Sequence, residues 1–183
     1  MIETFANPSS GPDPVAVLFH PTAVPVIDVF RSIGRLDDQY DLSLLDAPER
    51  ALSAYVSPGA AKGIVSDALL LAFALSRQRG RAFDHRPLRS RYGSLDEYGL
   101  LVLIGASRRP RSDLAREASA FLEVSPFDLL TALAGELARQ IGLGTIVFPM
   151  PDVDEFRSVI GTEAHEQGIL VEAFGKPGLH LGL

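Results

Sequence analysis

The chain has 183 residues, of which 46% are hydrophobic and 22% charged, with a formal net charge of −6. Such a composition excludes a charge-rich disordered polymer and suits one globular domain, because a chain of this length buries roughly 70% of its unfolded surface. Cysteine is absent, which excludes disulfides, thiolate metal centres and cysteine nucleophiles together.

The net charge conceals an asymmetry. Nine arginines between Arg77 and Arg111 face only Asp84, Asp96 and Glu97, a net of +6 that leaves −12 on the remainder. Only Lys62 and Lys176 are lysines, so almost all positive charge is guanidinium, which pairs with carboxylate and phosphate in a fork. A local basic segment on an acidic chain bears on partners rather than on fold. The same usage also follows from arginine-biased coding.

Residues 1–13, "MIETFANPSSGPD", read as a disordered leader with no basic-then-apolar secretory pattern. "PVAVLFH" at Pro14–His20 predicts a short buried strand. In "PVIDVFRSIG", Pro25 suits a first helical position, Val26, Phe30 and Ile33 share a face, and Gly34 ends the helix. "YDLSLLD" at Tyr40–Asp46 predicts a second strand. Asp46 as N-cap, Pro48 in the first turn and Glu49 at the capping-box position then start another helix.

"SPGAAKGIVSDALLLAFALSRQRG" predicts one long, deeply buried helix from Ser57-Pro58 to Gly80, although its middle suits a strand equally. Its apolar run Ala68–Leu75 falls short of the roughly 20 residues of a membrane span. Arg81–Glu97 shows no periodicity, and a connection that long is usually functional or disordered. "YGLLVLIG" reads as a central strand, being continuous, branched and apolar. Helices follow at Ser112–Glu123 and Pro126–Gln140. In the second, Phe127, Leu130, Ala134, Leu137 and Ile141 make one stripe, with Ser125 as cap and Gly142 as stop. "TIVFPM" predicts a strand, "DVDEFRSVIGTEAHEQG" a helix and "ILVEAF" a last strand before a glycine-rich tail.

This order predicts an α/β fold of Rossmann-like layering: a mostly parallel sheet of about 4–5 strands with helices on both faces. No linker or repeat divides it, so residues 14–183 form one domain. Ligands of such sheets gather beyond the carboxyl ends of the strands. His20 ends a strand there, with Thr22 just before the next helix. At "LVLIGASRRPRSD", Gly105 and Ala106 allow a tight turn and Ser107 offers a hydroxyl. Arg108, Arg109 and Arg111 precede Ser112 at a helix start whose free N–H groups favour an anion. Asp152, Asp154 and Glu155 mark a third corner, where carboxylates hold Mg²⁺ or merely complement a helix dipole.

No segment carries a family signature. Neither nucleotide-binding glycine pattern, nor G-x-S-x-G, nor a zinc-binding helix around His165 is present. The expected function is binding of an anionic, phosphate- or carboxylate-bearing small molecule. Arg108, Arg109, Arg111, Ser112, Thr22 and Gly105 form the site, with His20 and Ser107 as acid/base and nucleophile candidates should catalysis occur. No metal site is expected, and no cofactor is indicated. The competing expectation is a non-catalytic accessory protein whose Arg-rich segment 77–111 binds a partner or a second copy. Arginines interleaved with Phe83, Tyr92 and Tyr98 resemble a single-strand nucleic-acid clamp, but the acidic remainder opposes it. A cytoplasmic protein that associates with itself and not with membranes completes the expectation.

Overall fold

A computed structural model describes residues 16–39, 41–125, 129–146, 148, 150–161 and 170–172. The expected three-layer α/β architecture is not there. The described residues form a mostly helical bundle of seven α-helices, with a sheet only two to three residues deep.

Strand β1 (Ala16–Leu18) leads through a turn of 3-10 helix, Pro21–Ala23, into α1 (Val24–Gln39). Gly34 does not stop α1: a glycine within a helix costs about 1 kcal/mol against alanine, which tertiary packing readily outweighs. "YDLSLLD" is no strand; Leu42–Leu45 is a second 3-10 turn, capped by Asp41, whose carboxylate accepts the Ser43 N–H at 2.9 Å. Asp46 is the first residue of α2 (Asp46–Leu52) rather than its cap.

Helix α3 (Pro58–Gln78) matches the sequence reading at both ends, with the Ser57 hydroxyl accepting the Ala60 N–H. Its 21 residues are long and apolar enough to cross a membrane by length and composition alone, longer than the Ala68–Leu75 run suggests. In this fold Ala61, Ile64, Ala68 and Leu71 are buried in the protein core, whereas Leu70 and Phe73 face outward. Its principal partner is α6 (Leu129–Ile141), where Leu130, Ala134, Leu137 and Ile141 of the expected stripe are buried, with Ala138 beside them. Phe127 lies outside the described residues; Ser125 is described, and its N–H donates to the Gln78 side chain at 3.0 Å.

The largest correction lies at "YGLLVLIG". These residues belong to α4 (Leu95–Ala106), a helix through the centre of the molecule. Ten of its twelve residues are buried. A continuous apolar run fits a buried strand and a buried helix equally, so periodicity cannot decide between them. The cap decides. The Ser94 hydroxyl accepts the Glu97 N–H at 3.1 Å, and the Glu97 carboxylate accepts the Ser94 N–H at 3.1 Å, a reciprocal capping box.

Helix α5 (Asp113–Phe121) starts at Ser112 as expected, and α7 (Val153–Ile160) is capped by Asp152, whose carboxylate accepts the Glu155 N–H. Thr145, Ile146, Phe148 and Met150 are not in a strand. The sheet has the order β2-β1-β3: β2 (Tyr92–Gly93) runs antiparallel to β1 and β3 (Leu170–Glu172) parallel to it. Val17 faces Gly93 on one side and Val171 on the other. The Phe19 ring occupies the place a side chain at Gly93 would need, so only glycine fits there. The expected leader, His165, His180 and the tail lie outside the described residues.

Candidate functional site

The segment without periodicity is ordered by buried charge. Between α3 and β2 the chain runs from Arg79 to Arg91 with no regular structure, and three carboxylates from two helices accept its N–H groups. Asp96 accepts from Asp84 N–H at 2.9 Å, Glu97 from Arg86 N–H at 3.0 Å, and Asp28 from Arg89 N–H at 3.0 and 3.1 Å. Arg89 sits in the left-handed region (φ 64°), a conformation that the Asp28 contact offsets.

Arg31 completes the frame. Its guanidinium forks onto Glu97 at 2.7 and 2.8 Å, reaches Asp28 at 3.1 Å and donates to the Ser90 and Tyr92 carbonyls. Arg31 and Glu97 side chains are essentially sealed, at 1% and 0% exposure. A second cluster centres on Asp96, which takes a bidentate pair from Arg81 at 2.7 and 2.8 Å and one bond from Arg79 at 2.9 Å. Arg81 also reaches Glu123.

Burial alone raises a carboxyl pKa; at two of the three carboxylates the partners reverse the sign. Around Glu97 the Arg31 guanidinium, His85 and the Arg86 N–H outweigh burial and hold it below its ordinary value. For Asp96, Arg81, the Asp84 N–H and Arg79 do the same. At Asp28 burial prevails over Arg89 and Arg31, and its pKa is raised.

One wall of a groove is built on this frame. The cavity, about 790 Å³, lies between α1, α3 and the Arg79–His85 segment, with Leu100 of α4 among its lining residues. Phe30, Ile33, Leu69, Ala72 and Phe73 make it mostly apolar. Leu42 and Phe73, which also line it, are 68% and 61% exposed. On the loop side Phe83 stacks on His85, and the Arg79 guanidinium carbon lies 4.8 Å from the Phe83 ring centre. Arg79 Nε and Nη1 are buried and make no hydrogen bond. His85 Nδ1 lies 3.8 Å from Glu97 Oε1.

The expected site residues lie elsewhere, in unrelated local roles. His20 is exposed, and its Nδ1 is 2.8 Å from the Thr22 hydroxyl at the cap of the first 3-10 turn. Ser107 is buried at the end of α4, its hydroxyl donating to the Ile104 carbonyl. Gly105 makes no turn: it lies inside α4, where the Met150 sulfur fills the space a side chain would take. Arg108 donates to the Ala138 carbonyl at 3.2 Å, and Arg109 and Arg111 are exposed in the turn before α5. Ser112 caps that helix through the Ala115 N–H.

An anion held over the carboxyl ends of a parallel sheet of 4–5 strands therefore has no such sheet to be held over: among the described residues only β1 and β3 pair in parallel, over three residues. The alternative, assembly through the Arg-rich segment 77–111, is corrected as well: Arg79, Arg81, Arg91 and Arg108 all bond within the chain, and Arg77 lies over Phe73. Among the described residues no group of three or more His, Asp or Glu is placed to hold a metal ion.

What sequence reasoning passed over is the S-x-x-E pattern of Ser94–Glu97 ahead of an apolar run, a helix-start signal in plain view. Compared with family models, with curated proteins and with solved structures, the chain matches none of them.

Proposed function

We propose that this domain is a non-covalent binding module for a small apolar molecule, held in the groove between α1, α3 and the Arg79–His85 loop. The observation that carries this reading is the groove itself. Its volume, about 790 Å³, falls within the range that encloses small ligands, and its walls are apolar with a few polar groups at one side. Its rim exposes Phe73 and Leu42, large side chains that a soluble helical protein would gain by covering. The wall facing α3 is an irregular loop pinned from beneath by Asp96 and Glu97, so the cavity rests on a rigid support rather than on the loop's own packing.

The test is titration of the purified chain with the neutral dye Nile red, on wild type and on Ala72→Trp, which fills the groove from α3. Wild type should give a saturable fluorescence rise that the variant loses while keeping its helical circular dichroism. Equal signals from the two proteins would place the dye elsewhere and end this reading.

A further inference from the structure

We infer that the apolar ligand carries an uncharged hydrogen-bond acceptor, an ester, amide or ketone carbonyl, which takes an unpaired N–H of Arg79, at Nε or Nη1, by displacing the Phe83 ring. This rests on the groove reading above and names the chemistry at its polar end.

Arg79 closes α3 and lies in the groove wall, with its side chain 1% exposed. One nitrogen, Nη2, bonds Asp96 at 2.9 Å; Nε and Nη1 bond nothing. Buried donors are almost always paired, and a guanidinium with two of its nitrogens unbonded is a standing cost that an acceptor would relieve. Phe83 lies over that guanidinium, offering a π-face but no lone pair. It belongs to the same groove wall and sits in a stretch without regular structure, so rotating it away exposes the donors to whatever fills the cavity.

Charge selects a neutral acceptor. The three guanidiniums of the cluster, Arg31, Arg79 and Arg81, already face Asp28, Asp96, Glu97 and Glu123. Positive charge is thus fully matched, and a carboxylate would enter beside Asp96 with no surplus cation to receive it. A carbonyl needs only one N–H donor, and Arg79 offers one at Nε or at Nη1.

The experiment is displacement of bound Nile red by chain-matched probes: a medium-chain alkane, its methyl ester and its carboxylate. The ester should compete about tenfold or more better than the alkane. That advantage should vanish in Arg79→Lys, which keeps the charge beside Asp96 but removes Nε and Nη1, and should grow in Phe83→Ala, which removes the covering ring. If Arg79→Lys does not fold, nitrogen-15 spectra of wild type decide. An Arg79 Nε resonance that moves with ester and not with alkane supports the inference, and one that is indifferent to ester overturns it. Equal competition by ester and alkane overturns the carbonyl inference while leaving the groove reading intact. Preference for the carboxylate overturns the neutral acceptor, and failure of all three to displace bound dye removes both readings.

Discussion

Glu97 holds two positions at once. As the third residue of α4 it closes the capping box with Ser94, and as a buried carboxylate it receives the Arg31 fork and the Arg86 N–H. The two roles are separable, because glutamine serves equally at that capping position. Removing one partner of a sealed ion pair strands the other charge and typically costs about 3–5 kcal/mol. Arg31→Met, which abandons both Glu97 and Asp28, should fall in that range in urea unfolding. Glu97→Gln should cost less, and Arg31→Met with Glu97→Gln should cost less than the two separately, since the uncompensated charge on Glu97 is gone. Strict additivity would mean the two side chains do not act as a pair. Sequence reasoning counted Glu97 only as one of three acids diluting a basic stretch. The counting was right and the inference from it was not: Glu97 answers Arg31, outside the stretch, and Asp96 answers Arg79 and Arg81 within it.

Among elements, α4 and the loop before it depend on each other. The loop has no backbone ladder of its own, so its N–H groups need acceptors, and Asp28, Asp96 and Glu97 supply them. The carboxylates in turn tolerate burial because those N–H groups and the arginines surround them. This predicts an ordered response to acid. Asp96 and Glu97 have lowered pKa values, so their contribution to stability is complete above the ordinary carboxyl value near 4 and is lost as pH falls through their lower folded values. Asp28 has the opposite sign. Its pKa is raised, so it takes up a proton first, which favours the folded state but discharges the acceptor of the Arg89 N–H. Amide exchange followed by NMR down a pH series should therefore show Arg89 losing protection before Asp84 and Arg86. Simultaneous loss of all three would instead mean that the loop opens only with the whole protein.

The same pair of elements shows where sequence reading succeeds. Helices with one apolar stripe and a polar back, such as α6, were legible because burial on one face imprints a period. α3 was legible from its Ser-Pro start. α4 is buried on every side and carries no period, and its strand-like composition prevailed over the four residues that cap it. Gly105 was misread for the same reason: within a helix it admits Met150, whereas after a strand it would have marked a turn. The groove left no mark in the sequence, since its walls come from α1, α3 and a loop joined by charges that are far apart along the chain.

At the scale of the molecule, one connected apolar cluster runs from Val17 in β1 through α1, α3, α4 and α6 to Phe156 and Val159 in α7. No second core stands apart from it among the described residues. Unfolding in denaturant should accordingly be a single step, with far-ultraviolet dichroism and the fluorescence of tyrosine, which includes the fully buried Tyr98, sharing one midpoint. Separate midpoints would divide residues 14–183 into units that melt independently and refute the single domain.

The order of the small sheet has a consequence in time. β1 is made early, β2 some way later, and β3 only after every described helix has been synthesised. During translation β1 therefore acquires its antiparallel neighbour while its other edge still lacks the parallel one. At about 5–20 residues per second, the wait between β2 and β3 is about 4–15 seconds. For that interval a strand beside the nascent core offers open backbone donors and acceptors to any extended segment nearby, its own ribosomal neighbours included.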